Sequence, residues 1–243
     1  MTIILFDVDG TLTPSGANIQ PEMVEMITKL SAIHGVKLGI VGGGTYKKIK
    51  WQMGNSLKYF KYIFAECGAI VYIDNILCSD KNMVDYCDRP LLNKIIGTAL
   101  FIISQMPIIF HGQQIDFRKG LVYISPPGMQ ATTYERNYFI EQDKNFELRK
   151  NLLCKLKALD SGGLFEISFG GAVGIAVHPT GWNKSQVVTY LTNLGINDLI
   201  YYFGDRTEPD GNDYPIYSHV LINGISIKDY HDTIVKLNEI FLT

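Results

Sequence analysis

Apolar residues recur along this chain at two different spacings, and the change between them maps its organisation. Residues 3–6 (IILF) form an unbroken apolar run, the pattern of a strand covered on both faces. After Pro21, the residues Met23, Met26, Ile27, Leu30 and Ile33 return at helical spacing until Gly35. That predicts an amphipathic helix begun by the proline and ended by the glycine. Residues 36–41 read as a second strand, Gly42-Gly43-Gly44 as a tight turn, 46–53 as a short helix closed by Gly54, and 62–65 as a third strand. A hairpin over 69–78 follows, turning at Asp74-Asn75. Strands alternating with helices imply a parallel sheet built by right-handed crossovers.

The rhythm changes over residues 82–179, where hairpin signals dominate. IDFRKGLVYIS turns at Lys119-Gly120 and FEISFGGAVGIAVH at Gly170-Gly171. Helical stretches are predicted around 91–105 and 145–159, the second with Phe146, Leu152, Leu153, Leu156 and Leu159 on its apolar side. The alternating pattern then resumes. Asn183 can cap a helix carrying Val187, Val188, Leu191 and Leu194 and ended by Gly195, and a strand over 199–203 runs into Gly204-Asp205. The expected fold class is α/β: a parallel-sheet core in two parts, 1–81 and 180–243, interrupted by an α+β cap at 82–179 with an antiparallel sheet.

Composition narrows the function. With 47% hydrophobic and 19% charged residues, the 243-residue chain can bury a full core. A net charge of −2 without a clustered basic stripe argues against nucleic-acid binding. The oiliest stretch, 95–110, is broken by Gln105 and Pro107 and falls short of the ~20 apolar residues a membrane span needs. The first residues carry no basic lead or cleavage site, and Cys67, Cys78, Cys87 and Cys154 lack metal-ligand spacing. These features fit a soluble cytoplasmic protein with free thiols.

Chemistry concentrates at strand exits, where open parallel sheets carry their sites. Asp7 and Asp9 follow the first strand, Gly42–Thr45 the second, and Asp205 and Asp213 (GDRTEPDGND) the strand at 199–203. Lys184 falls in the first turn of the preceding helix, against its dipole. Each feature alone has a plainer reading: an acidic turn, a glycine turn, a solvated lysine, an exposed loop acid. A calcium loop counted from Asp7 would need a glutamate where Asn18 stands. A receiver domain would carry its acceptor after the third strand, where Glu66 lies. Acids converging from separate strands repel unless a cation lies between them, and hard oxygen ligands suit Mg²⁺.

LFDVDGTLT, VGGG, FRKG, Glu135-Arg136, PTGWNK and YYFGDRTEPDGND together resemble the haloacid dehalogenase superfamily, and within it the eukaryotic-type phosphomannomutases, in order and spacing over nearly the whole chain. The resemblance implies a Rossmann-like core with an inserted cap and a Mg²⁺-dependent phosphoryl transfer. Asp7 would be the nucleophile that becomes an aspartyl phosphate and Asp9 the general acid/base. Mg²⁺ would bind Asp7, Asp9 through its carbonyl, and Asp205, with Asp213 supporting the metal or Lys184. Lys184 would hold the phosphoryl group, with Gly43, Gly44 and Thr45 as its phosphate-binding turn. Arg118 and Arg136 would reach from the cap to the distal phosphate. The same resemblance implies interconversion of mannose 6-phosphate and mannose 1-phosphate for GDP-mannose synthesis, activation by a hexose 1,6-bisphosphate, and a homodimer formed through the cap.

The sequence departs from that pattern at five places. Gly44 stands where a serine is expected, with Thr45 one place along; Gly16 and Met129 replace basic residues; Gly174 and Ala176 replace a serine and an aspartate. A thinned cap leaves two alternatives beside the mutase: a phosphatase on a sugar phosphate or other phosphomonoester, and a catalytically weakened phospho-ligand-binding descendant.

Overall fold

The computed structural model describes residues 1–209 and 211–242. In chain order the elements are β1 (Thr2–Phe6), α1 (Pro21–Ser31), β2 (Val36–Val41), α2 (Tyr46–Met53), β3 (Phe60–Ala65), β4 (Ile70–Ile73), β5 (Ile76–Asp80), α3 (Arg89–Ser104), β6 (Ile115–Phe117), β7 (Val122–Ile124), α4 (Thr133–Phe146), α5 (Leu148–Lys157), β8 (Phe165–Gly170), β9 (Gly174–Pro179), α6 (Gln186–Asn193), β10 (Leu199–Gly204), α7 (Tyr214–Tyr217), β11 (Asn223–Ser226) and α8 (Tyr230–Phe241). Two compact units result, one from Met1–Lys81 with the chain from Trp182 on, the other from Asn82–Gly181.

The first unit is built on a seven-stranded sheet ordered β11-β10-β1-β2-β3-β4-β5. Strands β11, β10, β1, β2 and β3 pair in parallel, and β4 and β5 close the edge antiparallel. The apolar run of β1 has a simple cause: alternate side chains leave opposite faces of a strand. Ile4 and Phe6 join Met23, Met26, Ile27 and Leu30 of α1, while Ile3 and Leu5 join Val187, Val188 and Leu191 of α6. Burying each such side chain stabilises the fold by roughly 1.5–3 kcal/mol, so β1 is clamped from both sides. The Asp74-Asn75 turn forms as expected, both residues at positive φ in the two-residue loop joining β4 to β5.

The second unit has a four-stranded antiparallel sheet, β6-β7-β9-β8. Val122, Ile124, Ile175 and Val177 are buried, and α5 packs on β8 and β9 with α3 beside it. The opposite face carries a cross-strand row of Asp116, Tyr123, Ala176 and Ser168.

Two expectations need correction. The helix expected over 145–159 is two helices, broken where Glu147 takes φ +49, and Phe146 is exposed rather than buried. Lys184 does not lie in the first turn of a helix: α6 starts at Gln186, and Asn183 turns the chain before it by accepting from the Ser185 amide at 3.0 Å. Beyond the strand that precedes Asp205 the chain adds a further parallel strand, β11, which the apolar pattern does not predict.

Candidate active site

Asp7 leaves β1 between two neighbours. Its amide donates to the Phe203 carbonyl at 3.0 Å, which continues the β1–β10 pairing for one more residue and delivers the carboxylate to the sheet edge. Asp205 and Asp213 follow β10. Oxygens of Asp7, Asp205 and Asp213 all lie within 4.8 Å of one another.

Such a trio is held together by a cation. Lys184 is fully buried, and its ammonium donates to Asp7 Oδ1 and to Asp213 Oδ1, each at 2.5 Å, and to the Tyr202 hydroxyl at 3.3 Å. The Tyr202 hydroxyl donates in turn to Asp213 Oδ1 at 2.5 Å, and the Arg206 amide to Asp213 Oδ2 at 3.0 Å. Both oxygens of Asp213 are therefore engaged by donors of the chain itself, which suits it to orienting Lys184.

Electrostatics follow from this burial. Burial raises Asp7 to about 7, with Asp213 and Asp205 adding to the rise and Lys184 opposing it. Burial would lower Lys184, but Asp213 and Asp7 overcome it and hold the ammonium charged, well above the usual lysine range. Burial and the Asp213 charge likewise raise Asp205 and Tyr202.

Asp205 Oδ1 is buried with no hydrogen-bond partner. A bare carboxylate oxygen beside two further carboxylates is a costly arrangement unless a cation completes it, and hard oxygens of this kind suit Mg²⁺. The residues present fit that ion. Gly10 keeps the place open, because a Cβ there would sit 2.5 Å from Asp205 Oδ2 and the residue holds φ +90.

Asp9 takes different partners. Gln52 Nε2 and the Gly16 amide each donate to its Oδ1 at 2.8 Å, and the Lys48 ammonium pairs with Oδ2. Burial raises the Asp9 carboxyl, yet Lys48 and these donors outweigh it and lower the net value. Gly16, which replaces an expected basic residue, thus meets Asp9 through its backbone.

The glycine turn after β2 is fixed from its neighbour strand. Glu66 and Cys67 donate their amides to the Gly44 and Gly42 carbonyls at 3.0 and 2.9 Å. Both adopt positive φ to do so, strain of the kind concentrated at functional sites. Thr45 does not simply stand in for the missing serine: its hydroxyl oxygen caps α2, accepting from the Lys48 amide at 3.3 Å.

In the second unit, Arg118 Nε pairs with Asp116 Oδ2 at 2.6 Å, and its guanidinium lies 5.2 Å from the centre of the Tyr123 ring. Arg136, in the first turn of α4, donates to the Ala131 carbonyl at 3.0 Å and the Met129 carbonyl at 3.4 Å. The Met129 position therefore meets Arg136 through its backbone. Gly174 has a steric explanation, since a Cβ there would lie 2.3 Å from Cζ of Tyr123. Gly174→Ser should therefore lower stability by roughly 1–3 kcal/mol, as overpacking does, and Tyr123→Ala should recover part of that loss. Urea unfolding of the single and double variants checks this; a neutral Gly174→Ser would sink the packing account.

Sequence reading missed Lys48, Gln52 and Tyr202. Lys48 and Gln52 sit four apart on α2 and so share a face, a signal available from the helix prediction. Tyr202 was hidden as one aromatic among apolar strand residues.

Among the described residues no helix is long and apolar enough to cross a membrane. A family model described as eukaryotic phosphomannomutase matches residues 23–243. Phosphomannomutase 1 of Mus musculus is 35% identical, over 98% of this chain and 92% of that protein. A phosphomannomutase of Schizosaccharomyces pombe is 34% identical, over 99% and 94%. Among solved structures, an IMP-bound Plasmodium falciparum IMP-nucleotidase superposes with a TM-score of 0.69 at 17% identity, over 100% of this chain and 68% of that one. The Synechocystis sucrose-phosphatase in complex with sucrose and phosphate gives 0.61 at 13%, over 98% and 87%. At these identities the structural likeness speaks for the haloacid dehalogenase-like fold alone.

Proposed function

The chain belongs to the eukaryotic phosphomannomutase family, and on that premise we propose that it interconverts mannose 6-phosphate and mannose 1-phosphate through a phosphorylated Asp7, in the supply of GDP-mannose. The observation that carries this reading is the buried Lys184 bridging Asp7 and Asp213 beside the unpartnered oxygen of Asp205. A structural ion pair would not leave a third carboxylate bare.

In the forward half-reaction, phosphorylated Asp7 transfers its phosphoryl group to a sugar hydroxyl. The Asp7 oxygen–phosphorus bond breaks, the sugar oxygen–phosphorus bond forms, and the hydroxyl proton passes to Asp9. The bisphosphate then turns over. In the second half, Asp7 attacks the other phosphate and Asp9 returns its proton to the departing sugar oxygen. Lys184 balances the Asp7 carboxylate and the incoming phosphoryl charge. Asp7, Asp205 and the Asp9 backbone carbonyl would hold Mg²⁺, which when bound neutralises charge on the phosphoryl oxygens. Gly43, Gly44 and Thr45 supply the phosphate-facing turn. A hexose 1,6-bisphosphate serves as activator by phosphorylating Asp7 at the start.

Arg118 and Arg136 grip the distal phosphate in this reading, so that the intermediate is retained while it turns. Two copies pair through the cap, supported by the exposed Leu100 and Phe101 of α3. The protein works in the cytoplasm, consistent with four free cysteines.

A sugar-phosphate phosphatase is the second reading, favoured by Tyr123 occupying the place of a residue-174 side chain. One assay separates the two. Purified protein receives Mg²⁺, mannose 1-phosphate and a trace of glucose 1,6-bisphosphate, and mannose 6-phosphate and free phosphate are followed together. Mannose 6-phosphate without phosphate release is expected; phosphate alone would establish the phosphatase.

A further inference from the structure

Helix α2 brings two side chains to Asp9, one to each oxygen of its carboxylate. Its apolar residues Ile49 and Met53 are buried in the core and fix the helix. Lys48 and Gln52 project from it to the two oxygens of one carboxylate, Lys48 to Oδ2 and Gln52 to Oδ1. Gln52 is itself buried, and its amide nitrogen also reaches the Ala17 carbonyl at 3.2 Å and the Thr13 hydroxyl at 3.4 Å, so its orientation is locked. Lys48 sits in the first turn of α2, where a cation opposes the helix dipole. Its chain runs over Gly44, whose added Cβ would lie 3.2 Å from Lys48 Cδ. A side chain at 44 would press on that path, so the bare glycine leaves the lysine free to reach Asp9.

Resting on the mutase reading above, we propose that Lys48, with Gln52, is a positioning residue that holds the Asp9 carboxylate in the orientation from which it exchanges protons with the sugar oxygens. Asp9 begins the cycle ionised, ready to accept the hydroxyl proton as Asp7 surrenders its phosphoryl group, and Lys48 is the cation facing it at that moment. Gly44 and Lys48 thus form one device: the lost side chain makes room for the lysine that aims the base.

Leaving-group chemistry tests this. A sugar oxygen departs only when protonated, whereas p-nitrophenolate leaves without a proton. Lys48→Met should lower kcat for mannose 1-phosphate by roughly tenfold to a hundredfold, part of what positioned acid–base catalysis supplies, with KM within about threefold. The burst of p-nitrophenolate that accompanies Asp7 phosphorylation by p-nitrophenyl phosphate should stay within about threefold of wild type. Lys48→Arg should restore most of the sugar-phosphate rate. Equal losses on both substrates, or no loss on either, would overturn the proposal. A raised KM with unchanged kcat would also overturn it, making Lys48 a substrate grip. If the wild-type protein itself fails to isomerise the sugar phosphate, it is the mutase reading that falls, and the two failures are distinct.

Discussion

Lys184→Met is expected to abolish turnover and to lower stability by about 3–5 kcal/mol, the cost of breaking a buried ion pair by removing one partner. The lysine is fully buried, and its ammonium is the donor common to Asp7 and Asp213. Methionine fills similar volume, so the loss is electrostatic. It leaves three carboxylates within 4.8 Å without the cation that balances them. Urea unfolding beside the coupled assay reads both effects. A variant within about 1 kcal/mol of wild type would mean that the carboxylates shed their charge at little cost, and the electrostatic account of the site would fail.

Asp7→Asn is expected to move activity and stability in opposite directions. Without a nucleophilic carboxylate no aspartyl phosphate forms, and turnover should fall by about 10⁴ or more, the scale on which loss of a nucleophile is felt. Stability should rise in metal-free protein above neutral pH. Folding raises Asp7 to about 7, so its protonated form is the one the fold favours. The sign follows: stability is full below the carboxylate's unfolded pKa and is lost as pH climbs through about 7. The neutral amide escapes that loss, and a gain of roughly 1–3 kcal/mol is expected at pH 8 after the weakened Lys184 contact is counted. Melting temperatures at pH 5.5 and 8 in chelator would show it, as a difference between wild type and variant that grows with pH. A loss of stability at pH 8 would contradict the assignment of Asp7 as a strained, functional carboxylate.

Much of this fold was legible because its core strands are covered on both faces. The runs at β1 and β10 are apolar without alternation and β2 is broken only by Lys37 near its start, and their exits therefore located Asp7, Asp9, the glycine turn and Asp205. The elements that escaped are those with little buried surface. Helix α4 buries only Phe139, so it offers no apolar stripe; its legible signal was the capping box of Thr132 and Glu135. Strand β11 is only four residues, NGIS, exposed at both ends and half-buried between, with no period to read. The site was legible as a set of acids and opaque as a network. Lys184 lies among polar neighbours, and nothing local distinguishes a lysine buried between two aspartates from one in water. Tyr202 looked apolar because its ring is, and only its hydroxyl, 2.5 Å from Asp213, has chemical work. The empty place at Gly44 is met in three dimensions by Lys48, one helical turn along the chain, and that at Gly174 by Tyr123, distant enough in sequence that a motif comparison shows only the loss.

The claim on which the rest stands is that the phosphoryl group passes through Asp7. Protein mixed with Mg²⁺ and glucose 1,6-bisphosphate, quenched in acid within its first turnovers and reduced with borohydride, should carry homoserine at position 7, the product of reducing an acyl phosphate there. Turnover of the sugar phosphate with Asp7 left unmodified in the quenched protein would contradict the account.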